Sequence, residues 1–166
     1  MGEEVYISMV NKAEKYCWFM TPYLIITDEM THALTLAAKR GVDVRIITPG
    51  IPDKKQIYNI TRSFYHGLVK DGVRVYEWTP GFCHAKMSVA DDCMATCGTI
   101  NLDYRSLYHH FENGCFMTDC DAVLDIRNDL EATMKECREV TEKYRVGRSA
   151  YLRLGQLFMR LFAGLL

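Results

Sequence analysis

His84 and Lys86 stand two residues apart in Phe82-Cys83-His84-Ala85-Lys86, and Thr99 and Asn101 repeat that spacing in Gly98-Thr99-Ile100-Asn101. Side chains two apart on an extended chain share a face, so each pair presents its groups to one side. Together they offer an imidazole, an ammonium, a hydroxyl and a carboxamide. Displacing an alkoxide from a phosphodiester calls for groups of these kinds. It needs a nucleophile, a proton for the departing oxygen, and positive charge or hydrogen-bond donors around the non-bridging oxygens. Lys86 brings a cation, Asn101 an amide N–H and Thr99 a hydroxyl. Singly, each has a plainer explanation: a lone histidine is usually a satisfied polar residue, and a lone lysine usually lies on the surface. Their joint occurrence in this order points to phosphoryl chemistry. No cluster of carboxylates suggests a metal site, and neither a metal nor a cofactor is expected.

Three segments earlier in the chain share a design that would position such groups. Tyr16–Met20, Val42–Ile47 and Val73–Trp78 are short apolar or alternating runs, closed by Thr21-Pro22, Thr48-Pro49 and Thr79-Pro80. They read as strands. Between them, Asp28 is a candidate N-cap for a helix carrying Met30, Ala33, Leu34 and Ala37, with Gly41 beyond its end. Asp53 is a candidate start for a second helix bearing Ile57, Ile60, Phe64 and Leu68, ended by Gly72. Strand–helix–strand–helix–strand at this spacing predicts right-handed crossovers and parallel strands. After Pro80, Ala85–Ala90, Met94–Cys97 and His110–Thr118 read as strands, with Asp91-Asp92 as a hairpin turn. A long amphipathic helix is predicted from Asp119 to Tyr144. The expected fold class is α/β, with a mixed, largely parallel central sheet flanked by helices on both faces. In such open sheets, function gathers at the carboxyl ends of the strands; the third Thr-Pro end leads directly into His84.

The 166 residues suffice for one domain with a sizeable core. Apolar residues make up 49 % and charged residues 25 %, and the net charge of −1 carries no bulk basicity to attract nucleic acid, so none is expected as a partner. Seven cysteines at irregular spacing include no Cys-x-x-Cys pair. Cys17, Cys93, Cys97 and Cys115 fall in apolar runs and are expected as buried, reduced thiols. No run of about 20 apolar residues could span a bilayer. The abrupt helical start after Met1 suggests a domain cut from something longer.

His84-x-Lys86-x-x-x-x-Asp91, followed by Gly98-Thr99-x-Asn101, resembles the His-Lys-Asp signature of the phospholipase D superfamily, with Thr99 where the family commonly has Ser. Thr21-Pro-Tyr23, Arg40-Gly-Val-Asp-Val-Arg45, the stretch Gly98–Ser106 and Phe111-Glu112 extend the resemblance to the C-terminal half of bacterial cardiolipin synthases, over nearly the whole chain. His110 departs from it, since those synthases usually carry Asn there. The resemblance implies a phospholipase D-like α/β/α sandwich and a catalytic set of His84, Lys86, Asp91, Asn101, Thr99 and Glu112. It implies imidazole attack through a phosphohistidine, with Glu112 as the acceptor that orients His84. Asp91, five residues past Lys86, is expected to support structure. Asp103 and Arg105 are expected to brace the loop after Asn101.

The implied reaction condenses two phosphatidylglycerols to cardiolipin and glycerol. Alternatives are a phospholipase D or nuclease-type phosphodiesterase, or a silent dimerisation or membrane-docking module. The implied mechanism needs two histidines, and the chain has one motif. Its second half-site must come from a missing N-terminal half or a homodimer partner, and the isolated module is expected to be weak or inactive. His84 is then either the nucleophile or the acid/base member. Phosphatidylglycerol or a related phospholipid is the expected substrate, at the surface of the bacterial cell membrane on its cytoplasmic face, with the segment itself soluble. Residues 1–145 are read as the catalytic domain. Residues 146–166 are read as a basic amphipathic helix: Arg148, Arg153 and Arg160 accompany an apolar stripe of Leu154, Leu157, Phe158, Leu161, Phe162 and Leu165. That helix either packs on protein or lies on anionic lipid, each basic residue then contributing about 1 kcal/mol near the surface.

Overall fold

The structure, a computed structural model, describes residues 2–146; the expected tail helix falls, from residue 147 on, outside them. Strands β1 (Tyr16–Met20), β3 (Asp43–Pro49) and β4 (Arg74–Trp78) lie side by side and parallel, linked by α2 (Asp28–Lys39) and α3 (Lys55–Val69). Strand β5 (Met87–Ala90) pairs antiparallel with β1, then β6 (Met94–Gly98) with β5 and β8 (Gly114–Thr118) with β6. Strand β9 (Cys137–Glu139) closes the other edge against β4. The order is β8-β6-β5-β1-β3-β4-β9, a mixed sheet in which β1, β3, β4 and β6 run the same way. A separate two-stranded piece pairs β2 (Leu24–Ile25) with β7 (Leu102–Asp103) in parallel.

Strand periodicity sorts the core into two layers. Cys17 and Phe19 of β1 face one cluster; Trp18 and Met20 face the other. The first layer is covered by α1 (Gly2–Lys12) through Tyr6, Met9 and Val10, by α2 through Met30, Leu34 and Ala37, and by α3 through Phe64, Tyr65 and Leu68. The second is covered by α4 (Asp121–Glu136) through Val123, Leu130 and Met134. Helices therefore flank both faces, as the alternation predicts.

The hydroxyls at the Thr-Pro strand ends act as ties. Thr21 Oγ1 accepts from the Leu102 amide at 3.1 Å, fastening the end of β1 to the segment that follows Asn101. Thr48 Oγ1 lies 2.5 Å from Tyr65 Oη on α3, and Thr79 Oγ1 donates to the Glu136 carbonyl.

Several local expectations are corrected. Thr27, not Asp28, caps α2: its Oγ1 accepts from the Met30 amide at 3.0 Å and donates to the buried Glu3 carboxylate. Asp53 does not start α3, because both its oxygens are engaged elsewhere, one by the Tyr23 hydroxyl at 2.5 Å and the other by the Lys54 amide. The helix predicted over Asp119–Tyr144 breaks into α4, β9 and the short α5 (Thr141–Arg145), because Cys137–Glu139 pairs with the open edge of β4. Cys17 is buried as expected, but Cys93 is only half-buried, and Cys97 and Cys115 are exposed on the β6–β8 ladder at the sheet margin; all seven thiols are free.

Candidate active site

The chain leaving the carboxyl end of β4 passes through Thr79-Pro80-Gly81 and delivers His84 and Lys86 just before β5. They were expected on a strand; instead they lie in the segment leading into it, since the β5–β6 ladder runs out at Met87 opposite Cys97. One further bond, from the Gly98 amide to the Lys86 carbonyl at 3.3 Å, holds that lead-in beside the end of β6. The consequence is convergence. His84, Lys86, Thr99 and Asn101 line one open cavity of about 420 Å³, with Ala85, Met87, Cys97 and Gly98.

Lys86 folds back on His84. Its Nζ donates to the imidazole Nδ1 at 3.0 Å and to the His84 carbonyl at 2.7 Å. An ammonium has no lone pair to offer, so with Lys86 charged the Nδ1 it touches is the acceptor of this contact. Burial holds the Lys86 ammonium below the usual lysine range, against the opposing pull of the Glu112 carboxylate. Two aromatic rings flank the imidazole: Tyr23 edge-on at 6.4 Å and Phe82 at 5.8 Å.

Thr99 is locked by the strand that follows. Its amide donates to the Asn113 carbonyl at 2.8 Å, and its Oγ1 accepts from the Asn113 amide at 2.9 Å. The same hydroxyl donates to Glu112 Oε2. Glu112 was expected to orient His84; in the structure it binds Thr99 and lies 3.6 Å from His110 Nδ1 instead. The physical reason is the close approach of β6 and β8 at Gly98, where an added Cβ would meet the Asn113 carbonyl oxygen at 2.4 Å. That approach sets Glu112 against Thr99.

Asn101 was expected to turn its amide N–H on the substrate. Its Nδ2 instead donates to Ser106 Oγ at 3.0 Å, and its Oδ1 is buried with no partner. Asp91 bonds to the backbone ahead of β1. At φ 52° in the β5–β6 hairpin, its carboxylate accepts from the amides of Glu14, Lys15 and Tyr16 at 2.7, 2.9 and 2.8 Å, pinning the entry to β1. Asp103 is buried and braces its loop by accepting from the Ser106 amide at 2.7 Å; Arg105 is exposed.

Beside the first cavity lies a second of about 200 Å³, which shares Asn101 and adds Tyr23, Lys54, Asp103, Arg105, Ser106 and His110. Tyr23, Lys54 and Ser106 were not assigned to the site from sequence. Tyr23 was legible in principle, because it follows the first Thr-Pro pair at a strand's carboxyl end. Burial and then the Asp53 carboxylate push its phenol up to about 12. Among the described residues no group of three His, Cys, Asp or Glu side chains could hold a metal ion.

A helix-flanked mixed sheet with an imidazole, an ammonium and a hydroxyl around a cavity at its strand ends defines a phospholipase D-like fold, and solved structures bear this out. Nuc from Salmonella typhimurium, a phospholipase D family member, superposes with a TM-score of 0.72 at 16 % identity, over 82 % of this chain and 89 % of that one. Phosphatidylserine synthase of Haemophilus influenzae gives 0.74 at 17 %, over 98 % of this chain and 42 % of that one. The family model described as cardiolipin synthase, phospholipase D-like domain matches residues 6–134, and the chain belongs to that family. Cardiolipin synthase 2 of Bacillus cereus is 34 % identical over 99 % of this chain. The chain spans about a third of that relative's length, 32 %.

Proposed function

We propose that this chain supplies one half-site of a phosphatidyltransferase that condenses two phosphatidylglycerols to cardiolipin and glycerol through a phosphohistidine. One observation carries the reading. In a member of the cardiolipin synthase family, His84, Lys86, Thr99 and Asn101 come from separate stretches of chain to line a single open cavity. Lys86, which spends two of its three ammonium N–H bonds on His84, is the group that would hold a non-bridging oxygen of a phosphodiester.

Within this scheme His84 is taken as the acid/base partner. As an imidazolium it gives the departing glycerol oxygen a proton, and the neutral imidazole left behind is the later base. The nucleophile is the histidine of the second motif. Two observations favour an added module: the cavity lining holds one histidine, and several aromatic side chains of the chain lie open. Phe82, Tyr108, Phe111 and Phe116 are all exposed, the kind of apolar surface that a partner covers. Whether that module is a second copy or a longer polypeptide's other half, the reading places it at a bacterial membrane surface, where the lipid is. Among the described residues no helix is long and apolar enough to cross a membrane.

The test is to present the native gene product with phosphatidylglycerol vesicles and, separately, with DNA, and to resolve the products by mass spectrometry. Cardiolipin and glycerol are expected, and His84→Ala abolishes both. Phosphatidic acid alone would mark a hydrolase, DNA cleavage without lipid turnover a nuclease, and no turnover a docking module; each overturns the reading.

A further inference from the structure

We propose that the second cavity is the acceptor subsite, shaped for the glycerophosphodiester head group of a second phospholipid. The proposal rests on the phosphatidyl-transfer reading and assigns the site of its second step. The two cavities meet at Asn101, so a molecule seated in one can reach a phosphorus held in the other.

The lining is graded. Acceptors lie at the inner end. Asn101 Oδ1 is buried and unpartnered, because Ser106 engages the amide nitrogen instead. Asp103 is buried, with one carboxylate oxygen on the Ser106 amide. Cations lie at the outer end. Lys54 and Arg105 are both exposed, and among the described residues neither head group has a charged partner. Buried acceptors call for hydroxyl donors, and paired surface cations call for an anion. A glycerol phosphodiester has that polarity, with hydroxyls at one end and a phosphate at the other. A bare phosphate is disfavoured by Asp103 at the inner end, and water has no use for the cations. The lipid head group satisfies both ends at once.

The step balances. In the first half-reaction the His84 imidazolium gives its Nε2 proton to the departing glycerol oxygen and becomes the neutral imidazole. In the second, the acceptor's primary hydroxyl forms a new phosphorus–oxygen bond as the phosphorus–nitrogen bond of the phosphohistidine breaks. The hydroxyl proton passes to the unprotonated His84 Nε2, which restores the starting state.

Both acceptors, lipid and small alcohol, draw on one intermediate, so a product ratio isolates this step. The native gene product is given phosphatidylglycerol vesicles in buffer containing ethanol, and cardiolipin and phosphatidylethanol are quantified together. In Lys54→Gln/Arg105→Gln the cardiolipin-to-phosphatidylethanol ratio is expected to fall about tenfold, since ethanol carries no phosphate for the cations to hold. Lys55→Gln, an exposed lysine outside the cavity, serves as the control and keeps the parent ratio. A ratio unchanged in the double variant overturns the subsite while leaving phosphatidyl transfer standing. Absence of both lipid products from the unsubstituted protein overturns the transfer reading and the subsite with it.

Discussion

At the scale of single residues, His84 in the acid/base role supplies a proton to the departing oxygen. A proton donor on Nε2 matters most when the leaving oxygen is a poor leaving group. His84→Ala should therefore lower turnover of phosphatidylglycerol by about 10³-fold or more, yet lower turnover of a p-nitrophenyl phosphodiester only about tenfold. Equal losses on the two substrates would show that His84 is the nucleophile instead. Asp91 belongs to a different category. It makes its three bonds to amides at the entry of β1, and its left-handed backbone suits Asp or Asn better than most residues. Asp91→Ala is expected to cost about 2–3 kcal/mol in urea unfolding, with activity falling only as far as the folded fraction. Asp91→Asn should keep more of that stability. A large activity loss in a fully folded Asp91→Ala protein would restore it to the chemistry.

At the scale of elements, the buried carboxylate of Glu77 on β4 joins three pieces of structure. It accepts from Arg62 of α3 at 2.7 and 2.9 Å, and from Arg138 of β9 at 2.8 Å. Glu77 is fully buried, so removing Arg62 leaves its charge in the interior with only the exposed Arg138 to balance it. Arg62→Leu is expected to destabilise by about 2–3 kcal/mol in denaturant titration, and Arg62→Leu/Glu77→Leu to recover most of it, because no under-compensated buried charge remains. If the double variant proved no more stable than the single one, the packing of the Arg62 stem rather than the ion pair would hold these elements together. The Glu77–Arg138 bond also helps explain why Cys137–Glu139 leaves the helical path to become β9.

At the scale of the molecule, an unusual number of phenols shape the response to alkali. Tyr6, Tyr58 and Tyr76 are held above the usual tyrosine range, chiefly by burial, as are the more strongly shifted Tyr16 and Tyr65. Tyr108 is pushed up to about 12, first by its hydrogen bond to Glu3. The sign follows from linkage. In the unfolded chain these phenols ionise near pH 10, while in the folded protein they keep their protons, so above pH 10 the folded state binds more protons. Their contribution is complete below pH 10 and is lost as pH rises through the folded values. Burial also raises the thiols of Cys17, Cys83, Cys93 and Cys137. The urea midpoint should therefore hold steady to about pH 8, begin to fall as unfolded thiols ionise, and fall steeply from about pH 10 towards pH 12. A flat midpoint between about pH 9 and pH 12 would contradict it.

Much of this protein was written in local patterns. The apolar run of β1, the alternation in β3 and β4 and the helical patterns between them foretold a sheet with helices on both faces. The spacing of His84, Lys86, Thr99 and Asn101 marked the residues that line one cavity. Those features depend on near neighbours in the chain, and periodicity records near neighbours. What the tertiary structure alone decided is which group each polar atom meets. Glu112 binds Thr99 rather than His84 because two strands close at Gly98, and the Asn101 amide turns to Ser106 because a loop returns beside it. A helical repeat beyond Glu136 yields to a strand because an edge of β4 lies open nearby. Each is a contact between distant segments, and its outcome depends on competition for space and hydrogen bonds that exists only once the chain has folded.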